Sequence, residues 1–281
     1  MAATTPATDP IRREFAEIAR RPDDEIDLAH ASLWVAAEAT PSLDIPSYLT
    51  RLDELAAQVE PQIRAAASPE SAVAHLNRLL FEQERFRGNE NDYYDPHNSF
   101  LNDVLDRRRG IPISLSILYI AVAERAGLQA RGIGFPGHFL TQVSGEPDIL
   151  VDPFHCCVVT PDECLTRLRD AFGPEAELAP EMLEPTPRKR ILMRMLVNLK
   201  QIYLRQNELE AALGCSDRVL LLDPEAALEV RDRGLLFQAL ECYSAARADL
   251  ERFIEMAPQD ESVPKVRRQL EKVSRMVAKI H

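Results

Sequence analysis

The residues able to do chemistry gather between Asn89 and Cys157. Ser114 follows Gly-Ile-Pro-Ile, His138 follows Pro-Gly in PGHF, and Asp152 precedes Pro-Phe in VDPF, with His155, Cys156 and Cys157 immediately after. A histidine can take or deliver a proton near neutrality, and a carboxylate can fix its tautomer. Each residue also has a quieter reading. Ser114 at a helix start can satisfy a local backbone group, His138 can order two strands through a carboxylate, and Asp152 before proline can form a turn. In a strand His155 and Cys157 share one face, a possible first half of a metal site. No second pair with metal spacing occurs in the sequence, so neither a metal nor another cofactor is expected.

The elements around these residues differ in kind. Apolar residues at three- and four-residue steps predict helices near 8–21, 26–40, 46–66 and 69–86. Residues 88–99, GNENDYYDPHNS, are polar and rich in turn formers, which predicts a long loop. It lacks the mid-loop glycine and terminal glutamate of an EF-hand. Its side chains are expected to cap helix ends and line a cleft rim, with Asn89, Tyr93, Tyr94 and Asn98 facing that cleft together with Phe139. Tyr93, Tyr94 and His97 would serve recognition or packing. After a short helix near 99–108, ISLSILYIAVAERAG is apolar nearly all round and so must be enclosed by its neighbours. Short β-prone runs then predict a small antiparallel sheet, and Thr160 with Glu163 resembles a capping box.

Composition narrows the classes. The 281 residues carry 33 Lys plus Arg against 45 Asp plus Glu, a net charge of −12, which disfavours a phosphate backbone or an anionic membrane as partner. The apolar, uncharged run of residues 111–123 is too short to cross a bilayer, and no secretory leader pattern opens the chain, so a cytoplasmic protein is expected. Five cysteines without C-x-x-C spacing predict reduced thiols.

A repeat occupies the last third. Shifting by 34 residues superposes Tyr203 on Phe237, Ala211 on Ala245, Ala212 on Ala246, Arg218 on Arg252 and Pro224 on Pro258. This register resembles the tetratricopeptide repeat, a stack of paired helices. The proline-spaced stretch 173–187 predicts a linker or strap between domains.

RGNENDYYDPHNS, RRRGIPISL, GFPGHF and VDPF, in this order before the repeat, resemble the SirB-type bacterial family, which joins a transglutaminase-like domain to tetratricopeptide repeats. The resemblance implies an α+β fold, mainly helical, with a papain-related core and small antiparallel sheet, followed by a short α-solenoid. The expected domains are a helical region at 1–66 packed on the core, a transglutaminase-like domain at 67–180, and the repeats at 186–281. It also implies a nucleophile at the start of the buried helix facing His138 and Asp152. Register puts that nucleophile at Pro112, and no cysteine precedes Cys156. Two readings follow. One is a degenerate protein-binding module or scaffold engaging a protein or peptide, with neither nucleic acid nor membrane as partner. The other is an amide or ester hydrolase or acyltransferase with Ser114 as nucleophile, His138 as base and Asp152 as orienter. The oligomeric state is not legible in the sequence.

Overall fold

The computed structural model describes residues 10–280. Two compact units divide the chain, Met1–Leu192 and Met193–His281. The division falls at 192/193 rather than at 186, because residues 173–187 are tied to the first unit. There Pro185 bridges to Ile133, the Thr186 amide donates to the Gly132 carbonyl at 2.8 Å, and the Thr186 hydroxyl accepts from the Gly134 amide at 2.8 Å. The stretch is a strap, not a free linker. The carboxylate of Asp23 then accepts from the Arg188 and Lys189 amides at 2.8 and 2.9 Å, supplying acceptors to the start of the next helix.

Helices α1 (Pro10–Ala19), α2 (Leu28–Ala39), α3 (Ile45–Arg64) and α4 (Pro69–Asn77) open the first unit. Local chemistry starts three of them: Asp27, Asp44 and Ser68 each accept a backbone amide of the first turn, and Pro69 loses no bond at the first position. The chain widens into a π-turn at Arg78–Gln83. Strand β1 (Arg87–Gly88), a 3₁₀ turn at Pro96–Asn98, α5 (Leu101–Arg107) and β2 (Arg109–Gly110) follow. The two short strands pair in parallel, Arg87 beside Arg109 and Gly88 beside Gly110.

Helix α6 (Pro112–Arg125) is the axis of the unit, and every residue from Pro112 to Ala123 is buried. It packs against α2, α3 and α5 and against strands β3 (Ala130–Ile133) and β4 (Leu140–Val143). The sheet continues through β5 (Ile149–Asp152) and β6 (Cys157–Val159) as an antiparallel meander in the order β3-β4-β5-β6. Helix α7 (Pro161–Phe172) starts with the expected capping box and closes an apolar cluster of Ile133, Phe135, Leu140, Leu150 and Val159 with Cys164 and Leu168.

The second unit contains most of α8 (Arg188–Gln206), then α9 (Leu209–Leu222), α10 (Ala227–Ala239), α11 (Tyr243–Met256) and α12 (Val263–Ile280). Helices α9 and α11 begin and end 34 residues apart, as the repeat requires. Ala212 and Ala246, equivalent positions, are both 0% exposed, small residues buried at the same place in each repeat. The fold is thus α+β, mainly helical, with a small antiparallel sheet. No described helix is long and apolar enough to cross a membrane.

Candidate functional site

The site is organised by Asp152, the last residue of β5, which is fully buried. Its Oδ1 accepts the amides of Phe154 at 3.0 Å and His155 at 3.2 Å, so it does form the turn into β6. The same oxygen lies 2.9 Å from His138 Nε2. Its Oδ2 meets His155 Nδ1 at 2.7 Å and accepts from Arg167 Nη1 at 2.5 Å. Burial by itself would raise the acid's pKa. The contacts with His138, Arg167 and His155 outweigh it and hold the carboxyl well below the usual range. Asp152 is therefore an anion at neutral pH, ringed by two imidazoles and a guanidinium.

Each partner arrives from a different element. His138 projects from the PGHF turn that enters β4, where its neighbour Phe139 turns inward. His155 stands on the β5–β6 turn, which Cys156 completes with a left-handed φ of 60°. Arg167 comes from α7, one turn after the capping box. The His138 ring lies 5.4 Å from His155 and 6.0 Å from Phe154, centroid to centroid, and Tyr93 meets Phe154 edge-on at 6.3 Å. The carboxylate faces Nε2 of His138 and Nδ1 of His155, so the ring tautomer that carries its proton on that nitrogen is the one the anion favours.

Ser114 lies elsewhere in the hydrogen-bond network. It sits in the first turn of α6, 1% exposed, where its Oγ donates to the Asn98 carbonyl at 2.5 Å and accepts from the Ile111 amide at 3.1 Å. Gly110 makes this possible, since a Cβ there would stand 2.7 Å from that Oγ. The structure thus brings His138 and Asp152 together and leaves the Ser114 hydroxyl bonded to backbone, the local role open to a helix-start serine.

Of the expected cleft residues, Tyr93 and Tyr94 are 40% and 53% exposed and stack edge-on at 5.3 Å. Asn89 is half-buried and binds Asn98 through Nδ2 at 2.9 Å. Two expectations require correction. Asn98 is fully buried, its Nδ2 donating to the Asp92 carbonyl at 2.6 Å, so it pins the polar loop instead of facing a ligand. Phe139 is buried beneath Gly132, whose imagined Cβ would touch its ring at 2.8 Å. Both residues lie in the turn before β4, where Phe139 joins Leu140 in the core while the His138 ring reaches Asp152.

Two functional partners carry no clear sequence signal. His155 reads only as half of a metal pair, whereas it binds the acid next to His138. Arg167 reads as one more polar residue on an amphipathic helix. His138, Asp152 and His155 offer donor atoms within 4.8 Å of one another, a spacing compatible with a metal ion. The Arg167 guanidinium on Oδ2 opposes a cation at that point and balances the acid.

The thiols are not activated. Burial, then the charges of Asp152 and Cys157, push the Cys156 thiol above its usual pKa, and burial and Asp152 do the same to Cys157. Cys156 Sγ donates to the Phe86 carbonyl at 3.3 Å, and Cys157 Sγ lies 3.9 Å from Arg167.

Comparison with known proteins agrees with this architecture. A model of the Transglutaminase-like superfamily matches residues 46–197, and a Tetratricopeptide repeat model matches residues 199–271. The chain is 36% identical over 250 residues to a UPF0162 protein of Xylella fastidiosa, covering 87% of this chain and 89% of that one. A UPF0162 protein of Vibrio cholerae is 30% identical over 253 residues, covering 89% and 94%. Protein SirB1 of Salmonella typhimurium is 26% identical over 243 residues, covering 85% and 90%. No solved structure matches the chain.

Proposed function

This chain belongs to the SirB-type family of transglutaminase-like proteins with tetratricopeptide repeats, and from that premise we propose that it is a cytoplasmic, non-catalytic recognition module for a protein or peptide partner. The observation supporting this reading is the state of its nucleophiles. The family resemblance implies a nucleophile at position 112, where this chain has proline. The Ser114 hydroxyl is buried and bonded on both sides, and both thiols beside Asp152 are disfavoured as thiolates. An acyl-transfer site needs an activated nucleophile within reach of its base. What remains is a rigid charged centre with exposed Tyr93 and Tyr94 close by, and a repeat unit of a kind suited to binding extended peptides.

The competing reading keeps Ser114 as nucleophile, His138 as base and Asp152 as orienter. The 2.9 Å approach of His138 to Asp152 favours it, since that contact would leave Nδ1 basic. It requires Ser114 to abandon the Asn98 carbonyl. The deciding experiment treats the full chain and its Ser114→Ala variant with serine- and cysteine-directed acylating probes, read by intact mass. The recognition reading expects no covalent adduct that depends on Ser114 or on Cys156. A stoichiometric adduct lost with the Ser114 hydroxyl would establish the hydrolase reading instead.

A further inference from the structure

We propose that Arg87 and Arg109, presented side by side on the β1–β2 ribbon, form a binding site for an oxyanion, the carboxylate or phosphate group of a small ligand. Parallel register makes the two arginines Cα partners. They line a pocket of about 440 Å³ whose walls also include Asn89, Glu90, Phe154, His155 and Cys156. Three nearby arginines are committed: Arg107 to Asp95, Arg108 to Glu84 and Arg167 to Asp152. Neither Arg87 nor Arg109 has a carboxylate partner among the described residues, and Arg109 bonds only the Arg108 carbonyl at 3.1 Å. In a chain with 45 acidic residues against 33 basic ones, two adjacent unneutralised guanidiniums are an unusual arrangement. Burial, and then repulsion from Arg87, make Arg109 less basic than a free guanidinium. An anion between them would relieve that repulsion, and the planar forks match two oxygens of one group.

The ribbon is held rigidly for this role. The Asn89 amide donates to the Gly110 carbonyl at 3.0 Å and the Gly88 amide to the Phe154 carbonyl at 3.0 Å, so the arginines and the Phe154 wall share one scaffold. A Cβ at Gly88 would stand 2.6 Å from the Phe154 ring, so the close approach of ribbon and wall needs glycine there. Glu90 is exposed at the same rim and pairs with neither arginine. It disfavours anions moderately and provides a substitution that should strengthen binding. The proposal stands whether or not the protein is catalytic and does not involve the repeats.

The test follows arginine side-chain Nε–H resonances of the full chain by NMR during titration with inorganic phosphate or with succinate, against sodium chloride at matched ionic strength. Saturable shifts of Arg87 and Arg109 with either oxyanion, absent with chloride, are expected. Response to phosphate alone identifies a phosphate-bearing ligand, and response to succinate alone a carboxylate. Arg87→Gln or Arg109→Gln should weaken binding roughly tenfold or more, and Glu90→Gln should tighten it about two- to fivefold. Equal shifts with chloride, or a Glu90→Gln variant and an Arg109→Gln variant that both bind like the wild type, would overturn the proposal.

Discussion

Asp152→Asn is the most informative perturbation, because it changes one atom and one charge at the centre of the site. The fully buried carboxylate accepts two backbone amides through Oδ1 and faces the His155 ring and Arg167 through Oδ2. An asparagine that keeps its oxygen on the Phe154 and His155 amides must aim its NH₂ at the Arg167 guanidinium, donor against donor. The opposite rotamer saves those contacts and strands the two amides. Removing one partner of a buried ion pair costs about 3–5 kcal/mol, which for a unit of this size lowers the melting temperature by roughly 6–20 °C. The effect also has a pH signature. The folded-state pKa is depressed, so the stability this acid contributes is fully present above its unfolded pKa of about 3.9 and is lost as pH falls through the lower folded value. Urea unfolding of wild type and variant at pH 7, 5 and 3.5 should therefore give a gap that is large and constant from 7 to 5 and narrows below about pH 4. A gap under about 1 kcal/mol at pH 7, or one that widens on acidification, would refute the claim that Asp152 is an ionised anchor.

Three further outcomes follow from the same packing. Asn98→Ala removes the amide that holds the Asp92 carbonyl and Asn89, so proteolysis within residues 88–99 should accelerate while the fold persists, as limited chymotrypsin digestion at Tyr93 and Tyr94 would report. Gly88→Ala forces a methyl group into the Phe154 ring and should cost about 1–3 kcal/mol in chemical denaturation. In the repeat unit Lys200 is buried on Glu229 at 2.7 Å and Asp232 at 3.0 Å. Lys200→Met should cost about 3–5 kcal/mol, and adding Glu229→Met should restore much of it, as a double-mutant cycle by denaturation would measure.

Much of the fold is legible in the sequence, because local chemistry dictates it. Ser68-Pro69 starts α4 and Thr160 with Glu163 starts α7 as their residue types predict. The nearly featureless apolar run after Pro112 could only be an enclosed helix, and α6 is the buried axis of the first unit. The 34-residue register reappears as the spacing of α9 and α11. Phe139 misleads because adjacency to a site residue says nothing of side: both residues lie in the irregular turn before β4, and the path of that turn decides which side chain enters the core. Asn98 misleads because a polar residue in a polar loop can be exposed or buried with equal sequence appearance.

What the sequence by itself determined is the set of elements, the repeat, and the presence of His138 and Asp152 on the rim of a small sheet. Only the tertiary structure decided what those residues touch. Arg167 lies 15 positions beyond Asp152 and His138 lies 14 before it, and they meet at one carboxylate because β5, the PGHF turn and α7 converge there. The Ser114 hydroxyl bonds the Asn98 carbonyl from 16 residues away, and the Arg87–Arg109 pair exists only through strand register. Spacing along a chain sets which face a side chain takes within its own element. Charge pairing and burial depend on which elements pack together, and that is a property of the whole fold.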